Sequence, residues 1–413
     1  MEVEKKITPA QYYASLSKED KKAIKTLNGT EALSLIPTGS WVIDRLIGNG
    51  GGKNQSGGLP RGHFVEVFGD ESCGKTTLGM SACVETQRMG LIPMWLDYER
   101  TFSKDYARKM GLDLSQDKFI FHNPDHFEHG IKLIGQALPT YPALIVVDSV
   151  SAMIPRAFME KEEDDPGRIG EQARIMSRFL SLIGKYISDY NVCILFINQL
   201  RSVIKQNKYD TGPMEETSGG RSLKYYCSVR IKMKKSKIDY IKTLSRITGK
   251  SEDKPNNINV KVSIIKNKID VPYYSGPIFI KFGEGFDNIT SIIDLADNCG
   301  VIKKSGAYYR FDSGDQTLFN VSGRENLRDF LEKNQNILDT LSSCVKLKVD
   351  EEEKAEGIKE EIQDIPENED VENILDQVKK NLDKNAPGEM GLNDSAPAKP
   401  EKASPKGKKN AKG

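Results

Sequence analysis

Residues 69–76, Gly-Asp-Glu-Ser-Cys-Gly-Lys-Thr, set two glycines around a four-residue turn, with a lysine and a hydroxyl directly behind. These types at this spacing suit a phosphate chain. Glycine lets backbone N–H groups curl round anionic oxygens, and a helix starting behind the turn adds a favourable dipole. Lys75 can then reach the β- and γ-phosphates, and the Thr76 hydroxyl can bind Mg2+. Gly69, Asp70, Glu71, Ser72, Cys73, Gly74, Lys75, Thr76 and Thr77 are therefore the candidate nucleotide-binding residues. The apolar run 144–147 ends in Asp148, an acid placed to help hold the Mg2+. Glu99 follows the apolar run 92–96, and an acid at a strand end beside a phosphate loop is well placed as general base.

Such groups need strand ends to hold them. Runs 63–68, 92–96, 143–147, 192–197 and 228–233 are strand-like in length and composition, most of them near-continuously apolar. Between the first four lie 75–89, 128–138 and 172–190, with apolar residues at three- and four-residue steps. Strands of this kind alternating with amphipathic helices predict a mostly parallel sheet covered on both faces. Runs 260–266 and 279–282 come without long intervening helices, so antiparallel strands should close one end.

Charge divides the chain further. The whole carries 60 Lys+Arg against 59 Asp+Glu, yet residues 350–376 hold 13 acids and 2 bases, and residues 377–413 hold 9 bases and 4 acids. The first 349 residues are left at +7, a basic body that favours a polyanionic partner. We expect an N-terminal helical arm for oligomerisation at 1–33, a core at 34–285, a small α/β domain at 286–349 and a disordered acidic-then-basic tail at 350–413. The six cysteines show no CxxC spacing, the N-terminus reads as no signal peptide, and no apolar run approaches membrane length, so a cytoplasmic protein is expected. His122, His126 and His129 cluster in sequence, but no cysteine completes a metal set, and a turn with a helix cap is the simpler reading.

Eight blocks in order resemble the RecA-type recombinases, the bacterial and bacteriophage strand-exchange family. They are LIPTGSWVIDRLIG, GGLPRGHFVEVFGDESCGKTTL, LDYERTFSKDYARKMGLD, IVVDSVSAMIP, GEQARIMSRFL, LFINQLRS, TSGGRSLKYYCSVRI and VSIIKNKIDVP, spread over about 34–344. The resemblance implies an α/β fold with a P-loop RecA-like core. It implies an ATP-dependent recombinase that forms a helical filament on single-stranded DNA and pairs it with a homologous duplex, with ATP at subunit interfaces. Single-strand-binding and loader proteins would be further partners. Glu99 matches the carboxylate that polarises the attacking water, and Tyr106 matches the aromatic that stacks on adenine. Ser103 stands where the family often has an Asp facing the adenine amine. Gln199 matches the residue that senses the γ-phosphate and relays it to the DNA loops. Lys266 and Lys268 match the pair that reaches a neighbour's ATP, doing the work of an arginine finger. Their i, i+2 spacing would place both on one strand face, which fits a plain exposed strand as well.

The two DNA loops of the family correspond to about 156–174 and 202–220, with Arg174, Arg201, Gly219, Gly220, Arg221 and Lys224 at or beside backbone-contacting positions. Phosphate-dominated contact implies little sequence preference and a steep salt dependence. The first loop is strongly acidic at 160–165, and the second is longer than the family pattern and lacks its apolar insertion residue. Residues 221–250 hold ten bases and one acid, Asp239, and include an insertion at about 236–257 that reads either as a solvated loop or as a duplex-binding site. The family's acidic tail is inhibitory. Deleting 350–413 is therefore expected to raise duplex affinity in a filter or anisotropy assay, and an unchanged or weaker affinity would count against autoinhibition. A ring-forming motor would carry an arginine finger rather than Lys-Asn-Lys, and a non-catalytic ATP-binding protein would not need Glu99 with Gln199.

Overall fold

A strand covered on both faces must be apolar at nearly every position, and the central runs meet that demand. The computed structural model describes residues 15, 17, 33–48, 57–159, 167–202, 215–244, 251–313 and 316–363. The chain begins with β1 (Leu35–Ile36), α1 (Trp41–Ile47) and β2 (Leu59–Pro60). Next come β3 (Phe64–Gly69), α2 (Lys75–Arg88), β4 (Pro93–Asp97), α3 (Lys104–Lys109), β5 (Ile120–His122), α4 (Phe127–Ala137) and β6 (Leu144–Asp148). The core continues with α5 (Gly167–Asp189), β7 (Cys193–Ser202), β8 (Glu215–Thr217), α6 (Gly220–Tyr226), β9 (Val229–Leu244), β10 (Ser251–Asn267), β11 (Ser275–Lys281) and β12 (Gly285–Phe286). Beyond it lie α7 (Asn288–Asn298), β13 (Lys303–Ser305), β14 (Tyr308–Ser313), β15 (Gln316–Ser322), α8 (Arg324–Lys333) and α9 (Gln335–Gln363).

The main sheet runs β12-β11-β10-β9-β3-β7-β6-β4-β5, with β8 pairing on β7. Strands β9 through β5 along this path are mutually parallel, and β10, β11 and β12 add antiparallel pairings at one end. The expected sheet, including its antiparallel end, is what the chain forms. Period-2 alternation sorts the core into two layers. Trp95, Leu144, Val146, Leu195 and Ile197 face one cluster with α1 and α2. Met94, Leu96, Ile145, Val147, Ile194 and Phe196 face the other, with α4 and α5.

Helix starts are sealed by side chains. Ser40, Ser103, His126 and Asp287 cap α1, α3, α4 and α7, each accepting a backbone N–H three residues on. His126 thus caps a helix, its Nδ1 accepting the His129 N–H at 3.2 Å. Asp44 does related work inside the core, accepting the Thr38 N–H at 2.7 Å. Burial, reinforced by Glu85, pushes its carboxyl up to about 8 against the Thr38 hydrogen bonds. The folded state therefore holds a proton that the unfolded chain releases, and stability falls as pH rises from the ordinary aspartate range to about 8. Asp44→Asn keeps an acceptor oxygen and removes the titration. Its melting temperature should exceed the parent's by about 2–4 °C at pH 8.5 and match it near pH 5.

Three expectations change. Within the stretch around 236–257 the described residues are strand: β9 and β10 pair from Val229↔Asn267 to Leu244↔Ser251 with three register shifts, while residues 245–250 lie outside the described residues. β3 flanks only Val229–Met233 and β11 only residues 257–263, so the remainder continues as a two-stranded ribbon past the end of β3. Ile238 still packs against the core at the base of this ribbon, and past it hydrogen bonding between the two strands satisfies a polar sequence. Helix α5 starts at Gly167, so the last part of the expected first loop, Arg174 included, is helical. Residues 350–363 continue α9 rather than being structureless. Their Glu/Lys-rich composition has a high helix propensity.

Contacts divide the chain into Met1–Val345 and Lys346–Gly413. In the first unit, Arg328 ties α8 to the α7 cap through Asp287 at 3.0 Å, while Leu338, Leu341 and Val345 are buried. In the second, Lys348 pairs with Glu351 at 3.4 Å. The expected arm falls almost wholly outside the described residues, as do 160–166, 203–214, the 49–56 extension and everything after 363. Among the described residues, no helix is long and apolar enough to cross a membrane.

Candidate functional site

The phosphate loop joins β3 to α2, and its two glycines are steric necessities. A Cβ on Gly69 would lie 1.8 Å from the Met233 carbonyl oxygen, and one on Gly74, at φ +90°, would lie 2.2 Å from Ile280 Cδ1. Lys75 is buried and folds back over the loop, its Nζ donating to Gly69 O at 3.1 Å and Asp70 O at 2.5 Å. Those carbonyls hold the ammonium at the mouth of the anion cradle. Asp70 points elsewhere: its carboxylate accepts the Lys235 N–H at 3.0 Å, anchoring the loop to the ribbon. Cys73 is fully buried and burial pushes its thiol up, so it packs rather than reacts. Glu71 and Ser72 are exposed.

Beside the loop lies a cleft of about 350 Å3, lined by residues 72–77, Tyr106, Ile258 and residues 280–283. Tyr106 presents its ring here, with its hydroxyl 3.1 Å from that of Thr77. Ser103 acts one step back. Its hydroxyl accepts the Tyr106 N–H at 3.3 Å, fixing the helix that carries the ring. The wall formed by Ile280, Lys281, Phe282 and Gly283 was not anticipated. The turn signal at 283–285, following an apolar strand, was the available clue.

Four strand ends converge on the acids. Thr76 donates to Asp148 Oδ2 at 3.0 Å. Burial pushes the Asp148 carboxyl up to about 7, helped by Glu99 and Asp97 and opposed by the Thr76 hydrogen bond and Lys75. A carboxylate paired with a hydroxyl beside a phosphate loop offers the oxygen donors that Mg2+ takes. Glu99 is held by two donors: the Ser149 hydroxyl, and Gln199 Nε2 at 2.9 Å. Ser151 lies 2.6 Å from the Ser149 hydroxyl. The hydroxyls of Ser149 and Ser151 escaped the sequence reading, although they follow Asp148 directly. Thr76, Asp148, Glu99 and Gln199 thus form one group within a single chain.

Three of the basic residues, Arg221, Lys224 and Lys266, line a second cleft of about 330 Å3 together with Glu216 and Tyr225. Lys266 Nζ donates to the Lys224 and Tyr225 carbonyls at 2.7 and 2.9 Å, sealing the end of α6. Burial, with Lys268 adding to it, holds its ammonium below the usual lysine range. Strand β10 ends at Asn267, and Lys268 stands directly past it, its N–H donating to the Ser228 carbonyl at 2.9 Å. Gly219 and Gly220 have φ of +89° and +73°, and a Cβ on either would strike Val150 or Ala173. They are needed for packing on α5 as well as for the turn. Arg201 sits on β7 opposite Glu216, and Arg221 and Arg174 are exposed on α6 and α5.

The RecA N-terminal domain family matches residues 15–287, and the RecA C-terminal domain family matches 290–350. The protein RecA of Heliobacterium modesticaldum is 34% identical over 316 residues, covering 76% of this chain and 83% of that protein. The protein RecA of Leifsonia xyli is 36% identical over 318 residues, covering 77% and 82%. That of Bifidobacterium breve is 35% identical over 315 residues, covering 76% and 74%.

Proposed function

The chain belongs to the RecA family, and from that premise we propose how its residues divide the work of an ATP-dependent DNA recombinase acting in recombination and repair. The observation that carries the assignment is the hydrogen-bonded group Thr76–Asp148 and Gln199–Glu99–Ser149 at the strand ends beside the phosphate loop. It joins a nucleotide cradle to a carboxylate and to an amide on the strand that feeds the second loop.

Lys75 leaves the Gly69 and Asp70 carbonyls for the β- and γ-phosphates of ATP, and the loop N–H groups complete the cradle. Thr76 and Asp148 would hold Mg2+, which would supply charge neutralisation on those phosphates. Tyr106 stacks on the adenine, with Ser103 fixing its helix. Glu99 orients the attacking water and takes its proton. Gln199 is both donor and acceptor, so it can exchange Glu99 for a γ-phosphate oxygen without a change of charge. Lys266 and Lys268 act on the ATP of a neighbouring copy, where a cation supplied in trans stabilises charge on the transferring phosphoryl group. That role requires the Lys266 ammonium to leave the α6 carbonyls.

Arg174, Arg201, Arg221, Lys224 and the glycine pair Gly219 and Gly220 hold the backbone of single-stranded DNA, Arg221 and Lys224 doing so from the second cleft. A homologous duplex is the second partner, and copies of the chain assemble as a helical filament in the cytoplasm, where single-strand-binding and loader proteins would meet it. The ribbon carries exposed Lys234, Lys235, Lys237 and Lys242. Reversing Lys242, Arg246 and Lys250 to Glu should weaken duplex capture about tenfold or more at low salt, since several phosphate contacts are lost. Single-strand affinity should be unchanged, and equal loss of both would remove these basic residues from duplex binding. The reading as a whole is tested by electron microscopy with single-stranded DNA and a non-hydrolysable ATP analogue. Helical filaments are expected; closed rings or bare DNA would overturn it.

A further inference from the structure

Glu66 is a carboxylate with no access to solvent in the middle of a strand that is otherwise apolar. The arrangement on which it depends reaches both ligand regions. Arg230, directly opposite on β9, donates through Nε to Glu66 Oε2 at 2.5 Å and lies 4.7 Å from the Phe68 ring centroid. On the other flank Asn198, also fully buried, donates through Nδ2 to Glu66 Oε1 at 2.9 Å. The same amide donates to the Ser218 carbonyl at 2.8 Å, and its oxygen accepts the Gln199 N–H at 2.9 Å.

Asn198 is thus bonded both to the backbone that carries Gln199 and to the return limb of the second loop. Its orientation is over-determined by a buried ion pair. The return limb itself is under-bonded. The Thr217 and Ser218 hydroxyls are buried with no hydrogen-bond partner among the described residues. Beyond the short β7–β8 pairing, the Asn198 amide is what fastens Ser218 to the sheet. A rigid anchor on one side and unsatisfied polar groups on the other describe a segment with a second arrangement to adopt.

We propose that the Glu66–Asn198–Arg230 network is a positioning device that ties the setting of Gln199 to the setting of the loop's return limb at Ser218, so that nucleotide and DNA each bias one shared two-state element. The inference rests on Gln199 facing the γ-phosphate. It adds residues that touch neither ligand.

Coupling between two sites is reciprocal, which separates it from mere structural support. In the full-length chain, the affinity of an oligothymidine is measured with and without a non-hydrolysable ATP analogue, and the analogue's affinity with and without oligothymidine. Asn198→Ala should reduce both ratios by the same factor, on the order of tenfold. A purely structural role would instead lower the melting temperature and weaken both ligands while leaving the ratios intact, and intact ratios overturn the proposal. Failure of the parent chain to bind either ligand would fault the assignment of function instead. Because a buried asparagine is risky to truncate, amide hydrogen exchange on the unmodified chain provides a second reading. The analogue alone, without DNA, should change exchange across residues 217–223 at least about fivefold. Unchanged exchange in that segment overturns the proposal independently of any variant.

Discussion

Replacing Lys75 with alanine is expected to remove nucleotide binding almost completely and, with it, the gain in DNA affinity that ATP confers. The ammonium is buried among loop carbonyls, so its charge is little screened where the phosphates would sit. Truncating one member of a desolvated, hydrogen-bonded charge pair costs about 2–5 kcal/mol, between thirtyfold and several thousandfold in affinity. Loss of the cation also withdraws stabilisation from charge developing on the γ-phosphate, for about a further hundredfold in kcat. A fluorescent nucleotide titration and a steady-state ATPase assay read these directly, with a melting curve to confirm folding. DNA binding without nucleotide should persist, because Arg221 and Lys224 are on α6, outside the phosphate loop. If Lys75→Ala still binds ATP within a few-fold of the parent, the loop is not the nucleotide site.

The parts of this design that follow local rules were legible in the sequence. A glycine pair at fixed spacing, an acid at a strand end and apolar runs of strand length are each written in consecutive residues, and the sheet and the loop came out as expected. What was missed depends on register and diagonal contact. Nothing adjacent to Glu66 announces Arg230, which lies 164 positions away, or Asn198, 132 positions away. Ser149 becomes a partner of Glu99 only because β4 and β6 are neighbours and both chains turn at the same edge. The insertion at 236–257 misled in the opposite sense. Its polarity resembles a loop's, but strands need an apolar face only where a layer covers them, and the ribbon runs past the ends of β3 and β11.

Glu99→Gln is expected to leave ATP binding and ATP-dependent DNA binding near parental levels while lowering kcat by about 10²–10⁴, the range that a positioned general base supplies. The substitution suits the observed geometry. A glutamine keeps an oxygen where Glu99 Oε1 now accepts Ser149 and Gln199, so the group's positions survive and only the proton acceptor is lost. One consequence distinguishes this from nonspecific damage. The charge of Glu99 is among the causes that raise the Asp148 carboxyl, so its removal in Glu99→Gln should let Asp148 ionise at lower pH. Mg2+-dependent nucleotide binding then becomes less sensitive to pH between about 6 and 8, because less of the acid needs to lose a proton on binding. Turnover without release follows physically. The bound state is formed by ATP and ended by hydrolysis, so a chain that binds without cleaving should dissociate from single-stranded DNA more slowly than the parent in a competitor-chase experiment. Parental kcat in Glu99→Gln would remove Glu99 from catalysis. Loss of ATP binding together with kcat would instead make it part of the cradle, and a slow kcat with fast DNA release would separate hydrolysis from the step that frees the DNA.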